Sequence, residues 1–243
     1  MTRKRGPKRA AKAASQKLHI CVILDESGSM QAVKDATISG FNEFLADQKK
    51  AGVDGTMTLT KFNTDFNRVL DGQAISAVQP LTGDTYKPGG MTALHDAVAY
   101  SIRAMKVPDG ERVVCCVITD GEENSSREHS LSEVKALIEE KEKTGLWTVT
   151  YLGANQDAWE VGRKMGIAQG NVANYVSTPV GTRAAFAAMS RGAVTMSCSA
   201  GGQTSAYYGQ QWVSPTPVSK SVASTTANTT PTDAPTWRKK RKI

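Results

Sequence analysis

Two short runs constrain this chain more than anything else in it: Leu18–Asp25, LHICVILD, and Arg112–Asp120, RVVCCVITD. Each is apolar almost without interruption, is rich in β-branched residues, and finishes in an aspartate. A strand that is apolar at successive rather than alternate positions is buried on both faces, as in the middle of a parallel sheet covered by helices. The two aspartates therefore stand where the chain leaves the sheet. An unpaired buried carboxylate is expensive, so something near both strand ends must neutralise the charge.

The segments between these runs have helical or strand periodicity. Gln31–Lys50 reads as a helix, with Val33, Phe41, Phe44 and Leu45 on one stripe and Gly52 just past its end. Thr56–Phe62 and Phe66–Leu70 read as strands. Their link, Asn63-Thr64-Asp65, is too short for a crossover helix, so they form an antiparallel hairpin. Pro88-Gly89-Gly90 breaks the chain before a helix over Thr92–Lys106. Helices are also predicted over Ser130–Lys143, Asp157–Met165 and Thr182–Met196, and strands over Trp147–Leu152 and Val172–Val176. Strands alternating with helices imply an α/β fold, with a mainly parallel sheet and helices on both faces. Such sheets bind ligands at the carboxyl ends of their strands.

The chain has 243 residues, which suits one folded body with tails, and an apolar content of 40% is enough for a core. Its apolar runs are much shorter than the roughly 20 residues a membrane span needs. No apolar signal segment follows the basic N-terminus, so secretion by that route is not expected. Of the four cysteines, Cys21, Cys115 and Cys116 lie inside strand-like runs, and with Cys198 they show no CxxC spacing. They read as free thiols in a reducing, cytoplasmic setting.

The formal net charge of +7 is unevenly placed. Residues 1–17 carry seven basic side chains and no acid, including Arg3, Lys4, Arg5, Lys8 and Arg9. The tail carries Lys220 and a terminal cluster of Arg238, Lys239, Lys240, Arg241 and Lys242 against one acid, Asp233. The body between them is mildly acidic. The expected organisation is a disordered basic arm over 1–17, a folded domain over 18–198, and a disordered Ser/Thr/Pro-rich tail over 199–243 ending in the basic cluster. Two cationic arms would attract nucleic acid or other polyanions, with a strong salt dependence, and would permit association with a nucleoid or nucleus.

The oxygen-bearing residues at the strand ends form a pattern. Asp25, Ser27 and Ser29 follow the first run, Thr92 follows Gly89-Gly90-Met91, and Asp120-Gly121 follows the second run. A hard divalent cation needs such an oxygen shell, with carboxylates to balance its charge and neutral hydroxyls to fill further positions. Helix N-termini facing the same place would favour an incoming carboxylate. The D-x-S-x-S motif, the lone threonine and the strand-ending Asp-Gly resemble, in that order, the metal-ion-dependent adhesion site of the von Willebrand factor A (vWA) domain family. The resemblance covers about residues 18–198. It implies a Rossmann-like, three-layer α/β/α fold with one antiparallel edge strand, in agreement with the hairpin. It also implies that Asp25, Ser27, Ser29, Thr92 and Asp120 hold Mg²⁺ (or Mn²⁺ or Ca²⁺), and that an acidic residue of a partner protein completes the shell. Members of the family also serve as partners of ring-forming ATPases.

Glu122, Glu123 and Asn124 read as a solvated loop beside this site, and His95 and His129 as packing or surface histidines. Glu26-Ser27-Gly28 does not fit a nucleophile elbow, and no dinucleotide or P-loop glycine pattern is present. The expectation is an intracellular, metal-dependent protein-binding module and not an enzyme. The alternative is a nucleic-acid-associated factor that binds DNA or RNA through its arms, with the body as scaffold. Neither reading fixes an oligomeric state.

Overall fold

The structure is a computed structural model and describes residues 17–154 and 157–209. A six-stranded sheet runs in the order β3-β2-β1-β4-β5-β6. Its strands are β1 (Leu18–Asp25), β2 (Gly55–Phe62), β3 (Phe66–Ala74), β4 (Arg112–Thr119), β5 (Trp147–Ala154) and β6 (Val172–Tyr175). Every pairing is parallel except β2 with β3, which is the antiparallel hairpin expected from the short link. β1, β4 and β5 are buried at every position, as continuous apolar runs require.

Five helices cover the sheet: α1 (Lys34–Lys50), α2 (Leu94–Ala104), α3 (Leu131–Glu142), α4 (Ala158–Lys164) and α5 (Pro179–Cys198). Successive side chains of a strand point to opposite faces, and this divides the core in two. Ile20, Val22 and Leu24 of β1 pack with Phe41, Phe44 and Leu45 of α1 and with Phe186 and Met189 of α5. Cys21 and Ile23 face the other way, toward Leu94, Val98 and Ile102 of α2 and Val134 and Ile138 of α3. This is a three-layer α/β/α arrangement.

Several boundaries differ from the sequence reading, each for a local reason. The first helix does not begin at Gln31: Gly28–Val33 forms a 3₁₀ turn, and α1 starts at Lys34. The tighter turn brings Ser29 back toward Ser27. β3 continues past Leu70 to Ala74, through irregular register and a Gly72 at φ +65°. The helix predicted over Thr92–Lys106 occupies only Leu94–Ala104. α5 starts earlier than Thr182, because Thr178 caps it by accepting from the Gly181 amide and Pro179 occupies its first turn.

The folded body does not stop at residue 198. Residues 199–209 form a strap packed on the domain, which corrects the expected start of a disordered tail for that stretch. The Thr204 amide donates to Thr148 Oγ1 at 2.9 Å, Asn171 Nδ2 donates to the Thr204 carbonyl at 2.8 Å, and the Tyr207 amide donates to Asn171 Oδ1 at 2.9 Å. Tyr207 is buried in the core, and its hydroxyl donates to the Met189 carbonyl of α5 at 2.7 Å. Gly192 leaves the room: a Cβ there would lie 2.3 Å from the Tyr207 ring. The rest of the tail, with Arg238, Lys239, Lys240, Arg241 and Lys242, and the arm with Arg3, Lys4, Arg5, Lys8 and Arg9, lie outside the described residues.

Candidate metal centre

The strand order reverses direction between β1 and β4, and a parallel sheet opens a crevice beyond its carboxyl edge at such a point. Asp25 is the last residue of β1, and Asp120 directly follows β4. Both carboxylates are carried to the same crevice by strands whose own hydrogen bonding fixes their register.

Asp25 is wholly buried, and the hydrogen bonds to its carboxylate come from neutral groups. Oδ1 accepts from the Ser27 amide at 2.6 Å, and Oδ2 accepts from the Thr119 hydroxyl at 2.5 Å. Its backbone carbonyl accepts from the Tyr86 hydroxyl at 2.6 Å. Burial pushes the Asp25 carboxyl above the ordinary aspartate range; the bonds from Thr119 and Ser27 oppose that rise, and nearby Asp120 adds to it. The phenol of Tyr86 is raised by burial and then by Asp25, and that of Tyr175 by burial and then by Asp120 and Asp25. The crevice is therefore a buried, electronegative site.

Asp120 has one oxygen engaged and one not. Oδ2 accepts from the Ser177 hydroxyl at 2.7 Å. Oδ1 is buried and has no hydrogen-bond partner among the described residues. Such an atom costs free energy unless something occupies the space before it.

Three hydroxyls converge beside the next residue, Gly121. A Cβ placed on Gly121 would lie 2.7 Å from Thr92 Oγ1, 3.3 Å from Ser29 Oγ and 3.4 Å from Ser27 Oγ. All three oxygens thus surround one point, next to the residue carrying the orphaned carboxylate oxygen. A side chain at 121 would push these hydroxyls apart. The Ser27 and Ser29 hydroxyls are 3.0 Å apart. The two loops that carry them and Thr92 touch directly, since the Gly28 amide donates to the Gly90 carbonyl at 3.1 Å. A side chain at 28 would crowd that contact, with its Cβ 3.3 Å from the carbonyl oxygen.

The structure thus brings Ser27, Ser29 and Thr92 to one point beside Asp120, and Asp25 joins the same crevice through Ser27 and Thr119. The donor set is oxygen only, with two carboxylates, which fits a hard or borderline divalent cation. No cluster of three or more His, Cys, Asp or Glu side chains that could hold a metal occurs among the described residues, so hydroxyls must supply what carboxylates do not.

Sequence reasoning missed the residues that hold this set. Ser177 anchors Asp120, and Thr119 joins Asp25 to the Gly121 amide, which donates to Thr119 Oγ1 at 3.1 Å. Asn124 is exposed in its loop as expected, but it also holds Thr92: its Oδ1 accepts from the Thr92 amide at 2.8 Å, and its backbone amide donates to the Thr92 carbonyl at 3.0 Å. Glu123 is equally structural. It accepts from the Ser125 and Ser126 amides at 2.9 and 2.8 Å, and from the His95 amide at 3.0 Å. Asp96 accepts from the Arg127 and His129 amides at 2.7 Å each, closing the same loop onto α2. The adjacency of Glu122-Glu123-Asn124 to Asp120 was the available signal; the partners across the fold were not visible.

A parallel sheet with this crevice, this oxygen set and one antiparallel edge strand defines a vWA-type domain. The family model for VWA domain containing CoxE-like proteins matches residues 2–161, and the chain belongs to that family. No curated protein matches it. Among solved structures, the pilus adhesin SpaC from Lactobacillus rhamnosus GG is similar at 12% identity and a TM-score of 0.56, over 74% of this chain and 31% of that one. Proximal thread matrix protein 1 from the mussel byssus, in a crystal with a zinc-occupied MIDAS motif, is similar at 15% identity and a TM-score of 0.53, over 76% of this chain and 48% of that one. BatB from Bacteroides thetaiotaomicron is similar at 15% identity and a TM-score of 0.51, over 75% of this chain and the whole of that one. The chain spans about a third to a half of the first two proteins. At these identities the likeness establishes the fold.

Proposed function

We propose that this domain is a divalent-metal-dependent protein-binding module, that Asp25, Ser27, Ser29, Thr92 and Asp120 hold the cation, and that the cation is Mg²⁺ (or Mn²⁺ or Ca²⁺) in use. One observation carries the reading: three hydroxyls from two loops converge within 3.4 Å of one point at Gly121, beside a buried carboxylate oxygen of Asp120 that no described group satisfies. The zinc-occupied motif in the mussel protein supports a metal at such a site, and the pilus adhesin among the similar structures supports a binding role.

When bound, the cation supplies a doubly positive centre that compensates the buried carboxylates and leaves coordination for an acidic side chain from a partner. The chain's own residues do the rest. Thr119 and the Ser27 amide orient Asp25, Ser177 orients Asp120, and Asn124 fixes the backbone of Thr92. The reading is non-enzymatic, in keeping with Glu26-Ser27-Gly28 not fitting a nucleophile elbow. A reducing, intracellular site of action is part of the proposal, supported by four free cysteines.

The test is thermal unfolding of the purified chain during titration with magnesium or manganese chloride. At a metal concentration of 100 times Kd the wild type should gain about 2.7 kcal/mol, and Asp120→Ala should gain none. Equal stabilisation of both proteins would remove the site. Capture of a glutamate-bearing peptide that chelator reverses then tests the binding role.

A further inference from the structure

Beside the metal centre lies a groove of about 260 Å³. Its apolar floor is formed by Leu94, Leu131 and Val161, from α2, α3 and α4. Its rim carries the carboxylates of Glu122, Glu123, Asp157 and Glu160 against the ammonium of Lys164 and the imidazole of His95, which lies 3.9 Å from Glu123. Three of these acids already accept hydrogen bonds or form ion pairs. Asp157 caps α4 by accepting from the Glu160 amide at 3.1 Å. Glu123 holds the loop amides described above, and Glu160 pairs with Arg163 at 2.9 Å and Lys164 at 3.4 Å. Glu122 and Asp157 have no cationic partner among the described residues.

The groove adjoins the metal centre through both of its walls. Glu122 stands two residues beyond Asp120, and Leu94 stands two beyond Thr92. A volume below the roughly 300–1,000 Å³ of small-molecule sites suits one side chain better than a free metabolite. An apolar floor with an anionic rim is the environment in which a lysine or arginine lays its aliphatic stem along the floor and keeps its charged end at the edge.

We propose that the groove receives a lysine or arginine side chain from the same partner segment whose carboxylate enters the metal centre. The recognised feature is then an acid and a base, a few residues apart on one stretch of polypeptide. This rests on the metal-dependent binding read above and names its partner's chemistry. Charge complementarity is the argument. A partner bearing acids alone meets Glu122 and Asp157 as repulsion, so the groove supplies discrimination that a metal ion by itself does not.

The test uses the full chain, magnesium chloride and fluorescein-labelled Gly/Ser peptides that carry one aspartate, alone or with a lysine one to four residues to either side. Fluorescence anisotropy should show at least one lysine spacing binding about tenfold tighter than the plain peptide, equivalent to about 1.4 kcal/mol. In Glu122→Gln/Asp157→Asn the ratio of the two affinities should fall to near one; asparagine is an equivalent helix cap, so α4 is kept. Magnesium-dependent binding of the plain peptide with no benefit from lysine at any spacing overturns the groove assignment and leaves the metal centre standing. A lysine benefit that survives undiminished in the double variant overturns it too. If no peptide binds in a magnesium-dependent way, the metal-dependent reading itself fails. Salt-sensitive self-association of the wild type that the double variant loses would make the occupant this chain's own basic arm, and would overturn the assignment to a partner.

Discussion

At the amino end of the sheet, His19 is buried with both ring nitrogens engaged, Nδ1 with the Thr56 hydroxyl at 2.7 Å and Nε2 with the Thr58 hydroxyl at 2.9 Å. At the carboxyl end, Asp120 is buried with one oxygen unengaged while three hydroxyls gather beside it. The amino end is sealed by the chain itself. Arg112, fully buried there, gives Nη1 to Ser199 Oγ at 3.0 Å and to the Gly201 carbonyl at 2.7 Å, and so fastens the strap, while its Nε and Nη2 find no partner among the described residues and no ring of oxygens gathers before them. Burial holds the His19 imidazole neutral, at a pKa of about 4, whereas at the other end burial pushes the Asp25 carboxyl up. The difference teaches that polarity under cover is not itself a site. A site is a place where several elements aim polar groups at one point and leave that point to something else.

The largest expected effect breaks the sealed part. Tyr207→Ala removes a buried aromatic ring and should cost about 3–4 kcal/mol, read as a lower denaturation midpoint. Its stabilisation by magnesium should remain, because the strap packs on α5 and the edge of β5 rather than on the metal loops. Loss of the magnesium response with the strap would tie the two ends together and end the contrast.

The next effect is in pH. A histidine whose folded pKa is depressed lends stability that is present above the unfolded value of 6.5 and is lost as pH falls toward about 4. The loss over that window should be on the order of 3 kcal/mol. Chemical denaturation of the wild type and His19→Gln across the window would isolate it, since the variant lacks the group. Parallel curves would show that the amino end is not sealed as described.

The smallest effect sharpens the open end. Asn124→Ala leaves the five ligands in place but frees the Thr92 backbone, and should weaken magnesium binding about tenfold. Calorimetric titration would measure it. Asn124→Asp keeps an acceptor for the Thr92 amide and should recover most of the loss, which a merely destabilised loop would not do.

Much of the fold was legible because it depends on local pattern. The continuous apolar runs of β1 and β4 announced buried parallel strands, and the three-residue link announced the hairpin. The five candidate ligands were legible for the same reason, each standing next to a strand end or a helix start. The strap was not. Residues 199–206 are small and polar with no apolar period, and they are held largely by bonds to Gly145, Thr148 and Asn171, which lie far away in the chain. Asn124, Thr119 and Ser177 were hidden likewise, because a polar residue in a loop declares its type but not its partner.

The sequence alone determined that two aspartates would leave buried strands, and that a serine pair, a threonine and two glycine turns would lie near them. Hydrophobic periodicity and turn chemistry act over a few residues and can be read in order. Only the tertiary structure decided that those oxygens meet, that Gly121 opens the point between them, and that an acidic groove with an apolar floor lies alongside. Convergence depends on strand order and loop contacts between residues dozens of positions apart, and no local pattern carries that distance.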